Sequence, residues 1–154
     1  MEPPSRYRVS IRGLSRSASP TARRRLKRLL LETLAAERAP TGDVHLELVS
    51  DAVMKRINSQ YRGKDKTTDV LSFGYLSEPH AGMLLGEILV SEAVARVQAK
   101  ENGCSLQEEI ARLSLHGLLH VLGYDHETAS ERRAMLSLQD RYLAKFFQQK
   151  AAVC

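Results

Sequence analysis

Leu113-Ser114-Leu115-His116-Gly117-Leu118-Leu119-His120-Val121-Leu122-Gly123-Tyr124-Asp125-His126 places three of the chain's five histidines within eleven positions. His116 and His120 are four apart, so on a helix they stand about 40° apart in azimuth and roughly 6 Å along the axis. Two imidazoles so placed can converge on one ion. Gly123 reads as the stop of that helix, because glycine enters the left-handed conformation there without a Cβ clash. Past the turn, His126 can return toward the same ion from another direction. The pattern H-x-x-x-H-x-x-G-x-x-H offers three neutral nitrogen ligands and no obvious fourth. That describes an open site of the catalytic type, one divalent ion per chain, with tetrahedral Zn2+ as the first candidate. Leu115, Leu118, Leu119 and Leu122 supply an apolar surface that anchors the helix in a core. A lone histidine on such a face would read as an ordinary core residue; three at this spacing, with a glycine in the turn, outweigh that reading.

What the stretch lacks is equally informative. In the zinc metalloprotease helix H-E-x-x-H the glutamate after the first histidine is the general base. Here that position is Gly117, which has no side chain to take a proton. A zincin-like metal helix is kept and the protease base is missing.

A chain of 154 residues, 43% hydrophobic and 27% charged, is long enough for one domain with a real core, spanning 1–154 with residues 1–5 frayed. No apolar run approaches the roughly 20 residues that span a bilayer, and nothing apolar follows Met1-Glu2-Pro3-Pro4-Ser5-Arg6 as a secretory leader would require. Cys104 and Cys154 form no C-x-x-C pair, which argues against a structural disulfide and for a reducing cytoplasm. The net charge of +5 is uneven: residues 1–38 carry ten Arg or Lys against three acids, the remainder thirteen against fifteen. A surface facing a polyanion is therefore expected at the N-terminal end.

In chain order, Tyr7 to Arg12 alternates as a strand. Ser19-Pro20 gives an N-cap and a first-turn proline for a helix to about Arg38, with Leu26, Leu29, Leu30 and Leu34 on its buried face. Arg23, Arg24, Arg25, Lys27 and Arg28 crowd its first half. They suit either a solvated face or RNA phosphates, and cations there oppose the helix dipole, so helix stability does not account for them. Val44 to Val49 is a second strand. Asp51 caps a short helix leading into a polar loop, Tyr61 to Asp69, before strands Val70 to Gly74 and Leu84 to Val90. His45 and His80 read as structural and solvated, respectively. A helix from Ser91 ends near Gly103. Ser105-Leu106-Gln107-Glu108 and Thr128-Ala129-Ser130-Glu131 are capping boxes that open the histidine helix and a final helix whose apolar period is core packing. The fold expected is α+β, a small four-stranded mixed sheet packed with helices.

The histidine segment H-G-L-L-H-V-L-G-Y-D-H resembles the signature of the YbeY family of metal-dependent bacterial endoribonucleases. So does Asn58-Ser59-Gln60-Tyr61-Arg62-Gly63-Lys64-Asp65-Lys66-Thr67-Thr68-Asp69-Val70-Leu71-Ser72-Phe73, set against the family's L-N-x-x-Y-R-x-K-D-x-P-T-D-V-L-S-F-P. Leu84-Leu85-Gly86-Glu87-Ile88 is similar to its L-G-D-I strand. The likeness covers most of residues 44–127. Thr67 and Gly74 stand where the family usually has prolines, and Ile57 where it has leucine, which bears on loop stiffness and not on the chemistry.

The resemblance implies a hydrolase cutting single-stranded RNA in ribosomal RNA processing, namely 3′ end maturation of 16S rRNA and ribosome quality control. It implies His116, His120 and His126 as metal ligands and Arg62 as the functional arginine. Ribosomal RNA and the ribosome or small-subunit assembly proteins follow as partners, with no membrane and no DNA. A guanidinium suits the role because its planar fork grips a phosphate in two bonds, and charge developing on phosphorus is what it would neutralise. Asp125 reads either as the group that orients a ligand histidine or as a turn residue. Two other readings stay open: a zincin-type metallopeptidase whose base comes from elsewhere, against which Gly117 argues, and a non-catalytic ribosome-assembly factor with structural zinc, against which the open fourth position argues.

Overall fold

Alternation of apolar and polar side chains sets β1 (Tyr7–Arg12), whose Tyr7, Val9 and Ile11 face inward. The computed structural model describes residues 6–13, 19–62, 68–76, 84–125 and 127–147, without the side chain of Arg62. Residues 1–5, the tail holding Cys154, His80 and His126 lie outside the described residues. After β1 come α1 (Pro20–Ala36), β2 (Gly42–Val49), α2 (Asp51–Arg62), β3 (Val70–Gly74), β4 (Leu84–Ser91), α3 (Glu92–Asn102), α4 (Leu106–Val121) and α5 (Ala129–Phe146). The strand order is β1-β2-β4-β3, with β1, β2 and β4 parallel and β3 antiparallel to β4. The α+β class and the mixed four-stranded sheet are those expected.

The two faces of the sheet carry separate clusters. Val9, Val44, Leu46, Ile88 and Val90 join α1 and α4 through Leu30, Leu34, Leu115, Leu118 and Leu119. Val49 and Leu71 turn the other way and pack with Met54 of α2. Burial of such side chains, each worth roughly 1.5–3 kcal/mol, holds α4 against the sheet.

Caps account for the helix limits. The hydroxyls of Ser19, Ser91, Ser105 and Thr128 accept the N–H three residues on, at 3.0 to 3.2 Å. α1 stops at Ala36, short of the expected Arg38, because Arg38 turns left-handed at φ 54° and Ala39 N–H returns to Leu34 O. α2 differs more. Ser50 rather than Asp51 caps it, through Val53 N–H at 3.2 Å. It also runs to Arg62, so Tyr61 and Arg62 end a helix instead of beginning a loop. The apolar period Val53, Met54, Ile57 continues to Tyr61, whose ring meets Phe73 edge-on at 5.5 Å, and that contact outweighs the local polarity. Cys104, just before the Ser105 cap of α4, is disulfide-bonded, against the expectation of no structural disulfide. No helix among the described residues is long and apolar enough to cross a membrane.

α4 lies unusually close to β3 and β4. A Cβ at Gly117 would sit 2.7 Å from Ile88 Cγ2 and 3.2 Å from Val70 Cγ2; one at Gly86 would sit 2.5 Å from Val121 Cγ1. The position that holds the base in an H-E-x-x-H helix is therefore pressed against the sheet in this protein. Gly117→Ala gains about 1 kcal/mol of helix propensity and meets overpacking of about 1–3 kcal/mol against a stiff β-branched methyl. Urea unfolding should show no gain and a net loss of up to about 2 kcal/mol; a variant more stable than the parent would show that the contact yields.

Candidate metal centre

His116 and His120 occupy successive turns of α4, and their Nε2 atoms approach to 3.2 Å with the rings at 77°. Two nitrogens held at ~2.0–2.1 Å by a tetrahedral zinc lie about 3.3 Å apart. The pair already spans one edge of such a tetrahedron. His116 Nδ1 lies 2.9 Å from Gln139 Oε1 on α5. With that oxygen as acceptor, Nδ1 carries the proton and Nε2 is left with its lone pair toward the shared point, the tautomer a metal ligand needs. The imidazole pair thus fits a divalent ion of the zinc kind. His126 is outside the described residues, and among the described residues no group of three His, Cys, Asp or Glu could hold a metal.

Gln139 is only 4% exposed. It belongs to a helix whose apolar period predicts core packing, four residues after Met135 and four before Leu143, both buried. A polar residue in the middle of an apolar stripe was the available signal.

The two histidines open onto a cleft of about 580 Å³ that Asp69, Ser72, Asp125 and Glu127 also line. Its carboxylates disfavour an anion entering alone and favour a cation. Asp69 is committed to the frame: Oδ1 accepts Val70 N–H at 2.8 Å and Oδ2 accepts Gln98 Nε2 at 3.4 Å. Asp125 is exposed on the cleft wall.

The turn toward His126 is built as expected. Gly123 is left-handed at φ 103°, its N–H donates to His120 O, and Tyr124 N–H donates to Leu119 O. Less expected is its tether. Tyr124 Oη donates to Glu37 Oε1 at 2.6 Å, and Tyr142 Oη donates to the other oxygen of the same carboxylate. The bond to Glu37 raises the Tyr124 phenol above its ordinary range, and burial followed by the same carboxylate does so at Tyr142. One carboxylate thereby ties the end of α1, the metal turn and α5. Its partners lie 87 and 105 residues away in sequence, so no local pattern marks it.

The basic residues divide. Arg23, Arg24, Lys27 and Arg28 are exposed on α1, although Arg28 pairs with Glu32 at 3.0 Å. Arg25 turns inward, its guanidinium 4.8 Å above the Phe146 ring and bonded to Phe146 O. α1 packs on β1, three strand spacings from β3, roughly 14 Å. The helix also packs on α4 and its C-terminal end reaches Tyr124 through Glu37, while its basic first half lies toward Phe146. Arg62 ends α2, and only its backbone is described.

Known proteins resemble this chain in sequence and in fold. The family model described as Endoribonuclease YbeY matches residues 13–147. An Endoribonuclease YbeY of Persephonella marina is 46% identical over 101 residues, 64% of this chain and 66% of that protein. One of Geobacillus thermodenitrificans is 39% identical over 131 residues, 79% and 84%. The solution structure of a Thermotoga maritima protein, 30% identical, superposes with a TM-score of 0.65 over 92% of this chain and 90% of that one.

Gln139→Leu keeps the volume and removes the acceptor, so His116 loses its orientation and not its packing. Chelator competition should read a metal affinity about 10–100-fold weaker, with Gln139→Glu at least as tight as the parent. Equal affinity in Gln139→Leu would show that His116 is held by other means.

Proposed function

The chain belongs to the endoribonuclease YbeY family, and from that we propose that it cleaves single-stranded RNA at a divalent-metal centre held by His116, His120 and His126. Its work is the processing of ribosomal RNA in the cytoplasm, at the 3′ end of 16S rRNA and in ribosome quality control, beside the ribosome or small-subunit assembly proteins. The observation that carries the metal reading is the 3.2 Å approach of two Nε2 atoms, with the proton of His116 held away from them by Gln139.

When bound, the ion supplies Lewis-acid polarisation of a phosphoryl oxygen and a lowered water pKa. The chain does the rest. Gln139 keeps the His116 proton on Nδ1. Gly117, filled in by Ile88 and Val70, leaves no carboxylate at the helix position after His116, where an H-E-x-x-H peptidase carries its base. Arg62 neutralises charge that develops on phosphorus in the transition state, where such a term is largest. The exposed cations of α1 give a longer RNA strand a second, sequence-independent hold.

The test couples metal analysis to cleavage. The purified protein should carry about one equivalent of a divalent metal, zinc first, and cut single-stranded RNA but not casein. His116→Ala and His120→Ala should each empty the site and abolish cutting. Full occupancy in both variants would remove the three-histidine centre; chelator-sensitive casein cleavage with RNA intact would make the protein a peptidase. Separately, Arg62→Ala should lower kcat by about 10²-fold or more with metal content unchanged, and Arg62→Lys should recover little of it. A variant with normal kcat and weakened RNA affinity would make Arg62 a binding residue.

A further inference from the structure

Among the described residues β3 is the last strand of the sheet, paired with β4 alone. Which of its backbone groups face outward follows from the pairing. Ser91 N–H donates to Asp69 O and Tyr75 N–H to Leu85 O, both at 2.9 Å. Residues 69 and 75 therefore point their backbone groups at β4, and in an antiparallel ladder the alternate residues Leu71 and Phe73 do the same. The N–H and C=O of Val70, Ser72 and Gly74 point to the free edge. Val70 N–H is taken by Asp69 Oδ1 at 2.8 Å. Ser72 and Gly74 keep theirs open among the described residues, about 6.8 Å apart along the strand.

The same residues border the cleft. Ser72 and Gly74 line it together with His116 and His120, because alternation turns their side of the strand toward α4 while Leu71 and Phe73 pack beneath with α2. A row of alternating donors and acceptors thus runs along the rim of the proposed reaction site. We propose that this edge, at Ser72 and Gly74, is the docking rail for the RNA backbone, its N–H groups donating to phosphate oxygens and its carbonyls accepting from ribose 2′-hydroxyls.

The chemistry favours RNA over the other strand-like partners. Backbone N–H groups are ordinary phosphate donors. A carbonyl beside them repels a phosphate but accepts from a 2′-hydroxyl, so a strand that offers both groups in alternation suits the edge, and DNA, which lacks the hydroxyl, does not. A peptide could add to the edge as a further strand, but it would then meet a histidine pair with no carboxylate at position 117. The inference rests on the RNA-cleavage reading and assigns that reading a way of telling RNA from DNA.

Ser72→Pro tests it, with Ser72→Ala as the control for the lost hydroxyl, since proline removes the outward N–H and is tolerated on an edge strand. Full-length protein with verified metal content would be assayed on an oligoribonucleotide and on the same strand carrying a single methylphosphonate or a single 2′-deoxy sugar at each position in turn. Ser72→Pro should lower kcat/KM by about tenfold or more, the loss of one hydrogen bond to a charged group. One methylphosphonate position that costs the parent enzyme should cost the variant nothing, and a purely structural defect would not produce that cancellation. One 2′-deoxy position away from the cleaved nucleotide should slow both proteins. If Ser72→Pro does not fold, Gly74→Pro carries the comparison at the other open N–H, set against Gly74→Ala, which adds the same Cβ 3.1 Å from Val121 O and keeps the N–H. Identical methylphosphonate profiles in an active parent and its variant overturn the rail and leave the function standing. A parent inert on every RNA overturns the function and the rail with it. Loss of casein binding in Ser72→Pro, with RNA kinetics unchanged, gives the edge to a peptide and also overturns the proposal.

Discussion

Helix α4 approaches β3 and β4 with almost nothing between them at Gly117 and Gly86, and the position of the histidine pair depends on that approach. A methyl at either glycine would stand well inside contact distance of Ile88 or Val121, so the helix axis sits nearer the sheet than ordinary side chains allow. His116 and His120 flank Gly117 in sequence, and one turn of helix carries them round to the cleft beside β3. The glycine that removes the protease base is thus the glycine that seats the helix. Absence of a base and placement of the ligands have one steric cause.

Around that seat the protein builds an outer frame from distant polar groups. Gln139 reaches from α5 to the back of His116. Glu37 reaches from the end of α1 to Tyr124 in the metal turn and to Tyr142. Buried or half-buried hydrogen bonds of this kind are each worth only about 1 kcal/mol in stability, but they act where orientation matters more than energy. A ligand imidazole free to rotate would have to be ordered again by the ion. The frame removes that requirement in advance. Asp69 works likewise on the opposite wall, since both its oxygens and its carbonyl are engaged with β3, α3 and β4.

The cleft combines carboxylates with a substrate that is a polyanion. Asp69, Asp125 and Glu127 make it a place where a cation is at home and a phosphodiester alone is not. A divalent ion, as proposed, would reconcile the two, and the exposed cations of α1 stand elsewhere on the same face of the sheet. Arg25 belongs to the frame instead, stacked on Phe146.

Much of this was legible in the chain. Local rules of propensity, capping and periodicity act over four or five residues, so strand alternation, the serine and threonine caps, the stop at Gly123 and the i, i+4 histidines could all be read directly, and the motifs led to the family. The same rules misplaced the end of α2, because the Tyr61–Phe73 contact that extends it crosses between elements. They passed over Gln139, and they had no access to Glu37, whose partners lie 87 and 105 residues away. Gly117 could be seen to lack a base; that it faces Ile88 and Val70 needed the sheet in place. Which strand ends the sheet among the described residues, and that its outward N–H groups border the histidine cleft, follows from strand order. The sequence by itself therefore determined the elements, the two histidines that share a helix face and the family. Tertiary structure decided what orients them and what lies beside them, because those contacts depend on chain distance in space, which no local pattern encodes.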